Sequence, residues 1–310
     1  MLMKQIKSLV IAACIQASML CGSGLLAYDL PPVNLGLTSF LDGGPPAGPG
    51  FYFTEYGQYY HASRLNDTGG RELFPKSVFP NQKLDVWASL SQFIYQSDQK
   101  ILLGGKWGLD VIVPVVRASI RNTPLSNNGV GLGDVLVGPF LQWDPIMGQN
   151  GPRFMHRIEL QTMFPTGRFD PTRQLNPGSD IYSFNPYWSA TYFATPKCSI
   201  STRIHYLWNS ENDQIKHQPG QAVHLNFASE YMLIENHLRI GFNGYWLSQI
   251  SDSKQNGASV AGRERVFAIG PGLLYSINQN NHIFFNAYFE TVADNRPKGY
   301  KLVLRFVHHF

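Results

Sequence analysis

Charged side chains recur at one parity within short alternating stretches of this chain. Arg157 and Glu159 lie two apart, as do Arg203 and His205; Glu230, Arg239, Glu290, Lys301 and Arg305 follow the same habit. Most have a bulky apolar residue on either side. In a strand, positions i and i+2 share a face, so these groups gather on one side of their strands and the apolar residues on the other. Glu55 joins the set if an early strand starting near Phe51 pairs with the last, which brings it beside Lys301 and Arg305. Such a face supports two chemistries. Acids and bases can pair and rigidify the structure, or they can line a polar path whose charge biases the passage of solutes. Bases outnumber acids in this set, which gives such a path a weak preference for anions. Tyr245 and Tyr288 share the polar face and offer ring contacts to a small phenolic solute. Asp180, Asp213 and Asp252 fall in polar connections that would shape an entrance.

Bond-making chemistry finds little support. Gly257-Ala258-Ser259-Val260-Ala261 lacks the final glycine of a nucleophile elbow and sits in a loop. Gly131-Leu132-Gly133 opens a strand rather than a helix, so it lacks the setting of a dinucleotide site. His308 and His309 point to opposite faces of one strand and cannot hold one metal as a pair. Expectations are therefore no catalytic residue, no metal and no cofactor. The rival reading, a lipid-modifying enzyme, would need His156 or His308, the nearest histidines on the apolar face.

The elements that would carry the charges are strands. In the final stretch Tyr300, Leu302, Leu304, Phe306 and Phe310 share one face, and Lys301, Arg305 and His309 the other. An edge strand of a soluble β-protein could read this way, but so does a membrane-barrel strand with lipid outside and a polar lumen inside. The apolar set ending in Phe310 also resembles the C-terminal signal read by the bacterial barrel-assembly machinery. Similar segments occur at about 51–61, 83–95, 107–120, 132–144, 154–164, 185–195, 199–209, 221–233, 237–250, 263–276, 281–292 and 299–310. Their length suits tilted spanning strands. Long polar connections (62–82, 165–184, 210–220, 251–262) alternate with tight ones (Pro196-Lys197, Glu235-Asn236, 278–280). Sorted loop lengths fit a barrel with short periplasmic turns and long external loops. The expected fold is thus an all-β, antiparallel, up-and-down transmembrane barrel over 51–310, with about twelve strands and both termini periplasmic. Five of the tryptophans, Trp87, Trp107, Trp143, Trp188 and Trp208, fall near strand ends, as aromatic girdles require; Trp246 falls in the outer half of its strand.

Composition agrees. Hydrophobic residues make up 44% of the chain and charged ones only 15%, yet mean hydropathy is -0.16. Strands with one polar face reconcile these values. A net charge of +4 without a basic cluster argues against nucleic acid as a partner. Lys4 and Lys7 before the apolar stretch Leu9–Leu20, then small residues up to Ala27, read as an export signal over 1–27. Its removal takes away Cys14 and Cys21 and leaves Cys198 without an internal partner. Residues 28–50, rich in Pro and Gly, exclude regular structure. They would lie either in the periplasm or inside the lumen.

The order Gly131-Leu132-Gly133-Asp134, Gly138-Pro139, Phe164-Pro165-Thr166-Gly167, Leu175-Asn176-Pro177-Gly178 and Asn185-Pro186-Tyr187-Trp188 resembles the MetA-pathway of phenol degradation family. Leu207-Trp208-Asn209, Asn212-Asp213, Gly241-Phe242-Asn243-Gly244-Tyr245 and Gly270-Pro271-Gly272 continue the likeness. The resemblance implies a bacterial outer-membrane barrel linked to the breakdown of aromatic compounds. Together, the residues and the resemblance lead to one expectation. It is a passive channel for small, aromatic or hydrophobic solutes, touching outer-membrane lipids and the assembly machinery. The alternatives are the lipid-modifying enzyme and a structural barrel with a closed lumen.

Overall fold

The computed structural model describes residues 30–31, 33–45, 47–125 and 129–310. The expected export signal, 1–27, lies outside the described residues. Twelve long strands follow one another: β1 (Gly50–Leu65), β2 (Lys83–Lys100), β3 (Lys106–Arg121) and β4 (Gly129–Leu132, continued by Val135–Gln142). Next come β5 (Gly151–Glu159, continued by Thr162–Phe164), β6 (Ser183–Phe184, continued by Tyr187–Thr195), β7 (Cys198–Asn209) and β8 (Ala222–Ile234). The last four are β9 (Leu238–Gln249), β10 (Arg265–Ser276), β11 (Asn281–Asp294) and β12 (Pro297–His309). Each pairs antiparallel with its chain neighbours, and β12 returns to β1 in a register that sets Tyr56 opposite Arg305. Among the described residues the sheet therefore closes on itself, with β12 paired to β1.

The breaks within strands have local causes. Pro186 has no N–H to donate and interrupts β6. In β4 the ladder yields at Gly133-Asp134, where the Asp134 carboxylate turns to the connections. It accepts from Gly167 N at 3.0 Å and Ser179 N at 2.8 Å. Gly167 and Gly178 meet there so closely that a Cβ on Gly167 would stand 2.7 Å from the Gly178 Cα. Motifs scattered along the sequence thus converge on one knot, where the β5–β6 connection folds over the break in β4. Over the same end lies a small sheet of His217–Gln218, Ser253–Gln255 and Ala258–Val260. At the opposite end most connections are tight, the exception being 143–150, where Ile146–Gly148 pairs with the start of β5. Asn236 takes φ +58° in the β8–β9 turn, a left-handed conformation asparagine tolerates. Also at this turn end, Lys100 and Lys106 both reach Asp144 at 2.8 Å and hold its carboxyl below the usual range.

The outer face is apolar and banded. Phe51, Tyr95 and Trp107 cluster at the turn end, with ring centroids 4.7 and 5.4 Å apart, the second pair edge to face. Tyr59 and Trp87 meet at 4.4 Å towards the loop end. Tyr300, Leu302, Leu304, Phe306 and Phe310 lie on this outer face of β12 and just beyond it, with Leu304 54% exposed. The strands run beyond the expected limits at several loop-end positions, because hydrogen bonding continues past the apolar band.

Candidate functional site, the barrel interior

The interior is occupied by described residues of the chain's own segment between Leu30 and Gly43. Leu30, Leu35 and Leu37 pack with Tyr56, Tyr245, Tyr288 and Val303 of the wall. Phe40 packs with Tyr52, Leu274 and Phe284. No backbone ladder joins residues 33–45 to the wall among the described residues, so wall side chains take up its polar groups. Leu30 N donates to Glu264 Oε1 at 2.7 Å, Gly36 N to Asn226 Oδ1 at 2.7 Å and Gly43 N to Thr191 Oγ1 at 2.8 Å. Asn34 donates to Gln161 Oε1 at 2.9 Å, and Lys301 Nζ to the Leu35 carbonyl at 2.8 Å. Gly36 has φ +72°, and a Cβ there would stand 2.8 Å from the Tyr288 ring. The firmest attachment is ionic. Arg203 donates through Nε and Nη2 to both oxygens of Asp42 at 2.8 Å each, with the two side chains 10% and 6% exposed.

Around this attachment the expected charges assemble. Glu159 accepts from Gln161 at 2.7 Å and from the Tyr187 hydroxyl. Arg157 donates to Gln142 at 3.0 Å and lies 3.9 Å from Glu159. The Arg203 guanidinium rests 4.1 Å from the centre of the Tyr187 ring, and Arg157 4.0 Å from that of Phe140. His205 stacks on His224 at 4.1 Å with 13° between the planes. Neither ring nitrogen of His205 has a hydrogen-bond partner. A second group centres on Glu290, which accepts from Tyr60 and Tyr245 hydroxyls at 2.9 Å each and from Gly299 N at 2.7 Å. Glu230 and Arg239 form a third, 3.5 Å apart near the turn end. Arg305 lies over the Phe284 ring at 3.5 Å.

Glu55 is a correction. Tyr52, Thr54 and Tyr56 of β1 are buried, so the odd positions face outward. Glu55 stands opposite Ser91 and Phe306 on the outer face, not beside Lys301 and Arg305. Aromatic residues occupy both parities of β1, so hydrophobic alternation there does not discriminate. Four interior charges also escaped sequence reading: Asp42, Asp110, Glu264 and Arg296. Asp110 accepts from Gln92 at 2.7 Å, and Arg296 lies 3.3 Å from Glu264. The local alternation Leu109-Asp110-Val111 could have revealed Asp110; Asp42 lies in a segment with no period at all. With these added, acids (Asp42, Asp110, Glu159, Glu230, Glu264, Glu290) match bases (Arg157, Arg203, Arg239, Arg296, Lys301, Arg305) in number. The excess of bases behind an anion preference is gone. Tyr245 and Tyr288, expected to face an open path, are buried beneath Leu35 and Gly36. Asp180 and Asp252 take part in loop contacts, with Gln214 and Arg263.

The same fold is found in the COG4313 outer membrane channel from Pseudomonas putida F1. The match has a TM-score of 0.74 and 13% identity, over 90% of this chain and 100% of that one. The translocator domain of the autotransporter NalP from Neisseria meningitidis matches at TM-score 0.48 and 8% identity, over 85% and 89% of the two chains. No curated protein sequence matches. The family described as "Putative MetA-pathway of phenol degradation" matches residues 62–306, and the chain belongs to it.

Proposed function

We propose that this protein is a channel of the bacterial outer membrane that passes small solutes, aromatic or hydrophobic ones among them, by diffusion through its interior. Passage requires the interior segment to shift. One observation carries the reading: among the described residues, the interior segment is attached through side-chain hydrogen bonds and the Asp42–Arg203 ion pair, without a strand ladder. A ladder would have made the filling part of the wall; side-chain contacts can be exchanged for water one at a time. The polar wall behind the segment supports a hydrated path once it moves. The family's description supports aromatic solutes, and the outward face of β12 ending in Phe310 supports delivery by the barrel-assembly machinery.

A closed structural barrel is the second reading, favoured by the filled lumen. The lipid-modifying enzyme has less support. His156 stacks on Trp143 at 4.5 Å, and His308 contacts Asn281 at 2.8 Å and Phe310; both behave as girdle residues. Single-channel recording in planar bilayers separates channel from closed barrel. Wild-type protein should open briefly and rarely, and Asp42→Ala far more often. A folded barrel that conducts in neither form supports the closed reading.

A further inference from the structure

Glu55 occupies a place on the outer wall where lipid should lie. It stands midway between Phe51 of the lower girdle and Tyr59 of the upper, about 13 Å from each along the strand. Other ionisable side chains on this face, among the described residues, stand nearer the two ends: Asp85 with His61 and Arg121, Arg117 opposite Trp87, Arg265 with Asp294, His156 against Trp143, and His308 opposite Phe53 with its ring nitrogen on Asn281 at 2.8 Å. Glu55 alone sits in the centre of the band.

Its surroundings form a shallow dimple. Gly57 is next on the same face, and a Cβ there would meet nothing within 4 Å. Ser89 and Ser91 of β2 lie opposite Gly57 and Glu55. They donate to the two carboxyl oxygens at 2.5 and 2.7 Å. Small side chains thus make a floor about two strands wide. Aromatic pairs bound it above and below: Tyr59 with Trp87 at 4.4 Å, and Phe53 with Phe93 at 5.4 Å. The serines leave acceptor capacity on both oxygens, and hydrocarbon contains no donor to satisfy it.

We infer that this dimple is a binding site for a ring-sized apolar molecule carrying a hydrogen-bond donor, of the phenol class, taken up from the membrane. The donor meets the Glu55 carboxyl, and the ring lies over Gly57 between the aromatic pairs. A hydrocarbon lacking the donor gains only the apolar contact it already has in lipid. The site is independent of whether the lumen opens.

The test uses folded protein in lipid vesicles, with 4-bromophenol and bromobenzene as quenchers of Trp87 fluorescence. Trp87 emission is isolated as the difference between wild type and Trp87→Phe. Bromophenol should quench it saturably, while bromobenzene should quench in proportion to its concentration in the membrane. Glu55→Leu, which suits a lipid face, should weaken the saturable phase at least tenfold. Glu55→Gln, which keeps an acceptor oxygen, should restore part of it, and Asp42→Ala should leave it unchanged. Heat-shifted gel mobility reports folding of each variant. Equal saturation by bromobenzene, or an undiminished phase in folded Glu55→Leu, overturns the inference.

Discussion

Replacing Asp42 by Ala should convert a mostly closed barrel into one that conducts often. Asp42 presents both oxygens to one guanidinium at 2.8 Å, in a site where neither partner is more than 10% exposed. Removing one member of such a pair leaves the other buried without compensation, a loss of about 3–5 kcal/mol. The lower end suits this case, because Glu159 and Tyr187 stay beside Arg203 and the interior can admit water. In the displaced state both groups are hydrated, so the loss falls on the closed state alone. About 3 kcal/mol corresponds to roughly a hundredfold rise in the ratio of open to closed. The assay is the fraction of time open in planar bilayers, at one salt concentration, beside Arg203→Ala and the double variant. Because the two residues act as a pair, the double variant should open little more than either single one. Folded Asp42→Ala with an open fraction within threefold of wild type would refute the assignment of Asp42–Arg203 as the attachment that keeps the lumen filled.

Gly36→Ala should also raise conductance, since the new Cβ meets the Tyr288 ring at 2.8 Å in a backbone already at φ +72°; a liposome-swelling rate equal to wild type would count against that packing. Glu290→Leu strands three donors, those of Tyr60, Tyr245 and Gly299, and should lower barrel stability by about 3 kcal/mol or more at 1–3 kcal/mol each. Urea unfolding in vesicles measures it. Glu55→Leu should act in the opposite sense and stabilise the barrel by about 1–2 kcal/mol, as expected for removing an acid from the band centre; the same titration would show no gain if position 55 lay at a girdle.

What could be read from the sequence follows from where a period exists. Lys301, Arg305, Arg157 and Glu159 alternate with residues such as Leu302, Leu304 and Ile158. Two faces in different solvents leave that mark on most spanning strands, so strand number and closure were legible. Glu55 failed for the converse reason. Phe51, Phe53, Tyr52 and Tyr56 are aromatic on both faces of β1, since the inner ones pack on the interior segment and the outer ones on lipid. The segment's own residues carry no period because they form neither helix nor strand. Asp42 is therefore visible only through Arg203, a base that the wall positions and the wall alone leaves incompletely paired. Two bases of the wall reach residues from outside it, whereas Arg305 lies over the Phe284 ring instead. Arg203 finds Asp42, and Lys301, beside Glu290 but not bonded to it, finds the carbonyl of Leu35. If Lys301→Met leaves the segment in place while Asp42→Ala releases it, the ionic attachment governs the lumen and the carbonyl contact follows it. The reverse order would put control at the turn around Gly36.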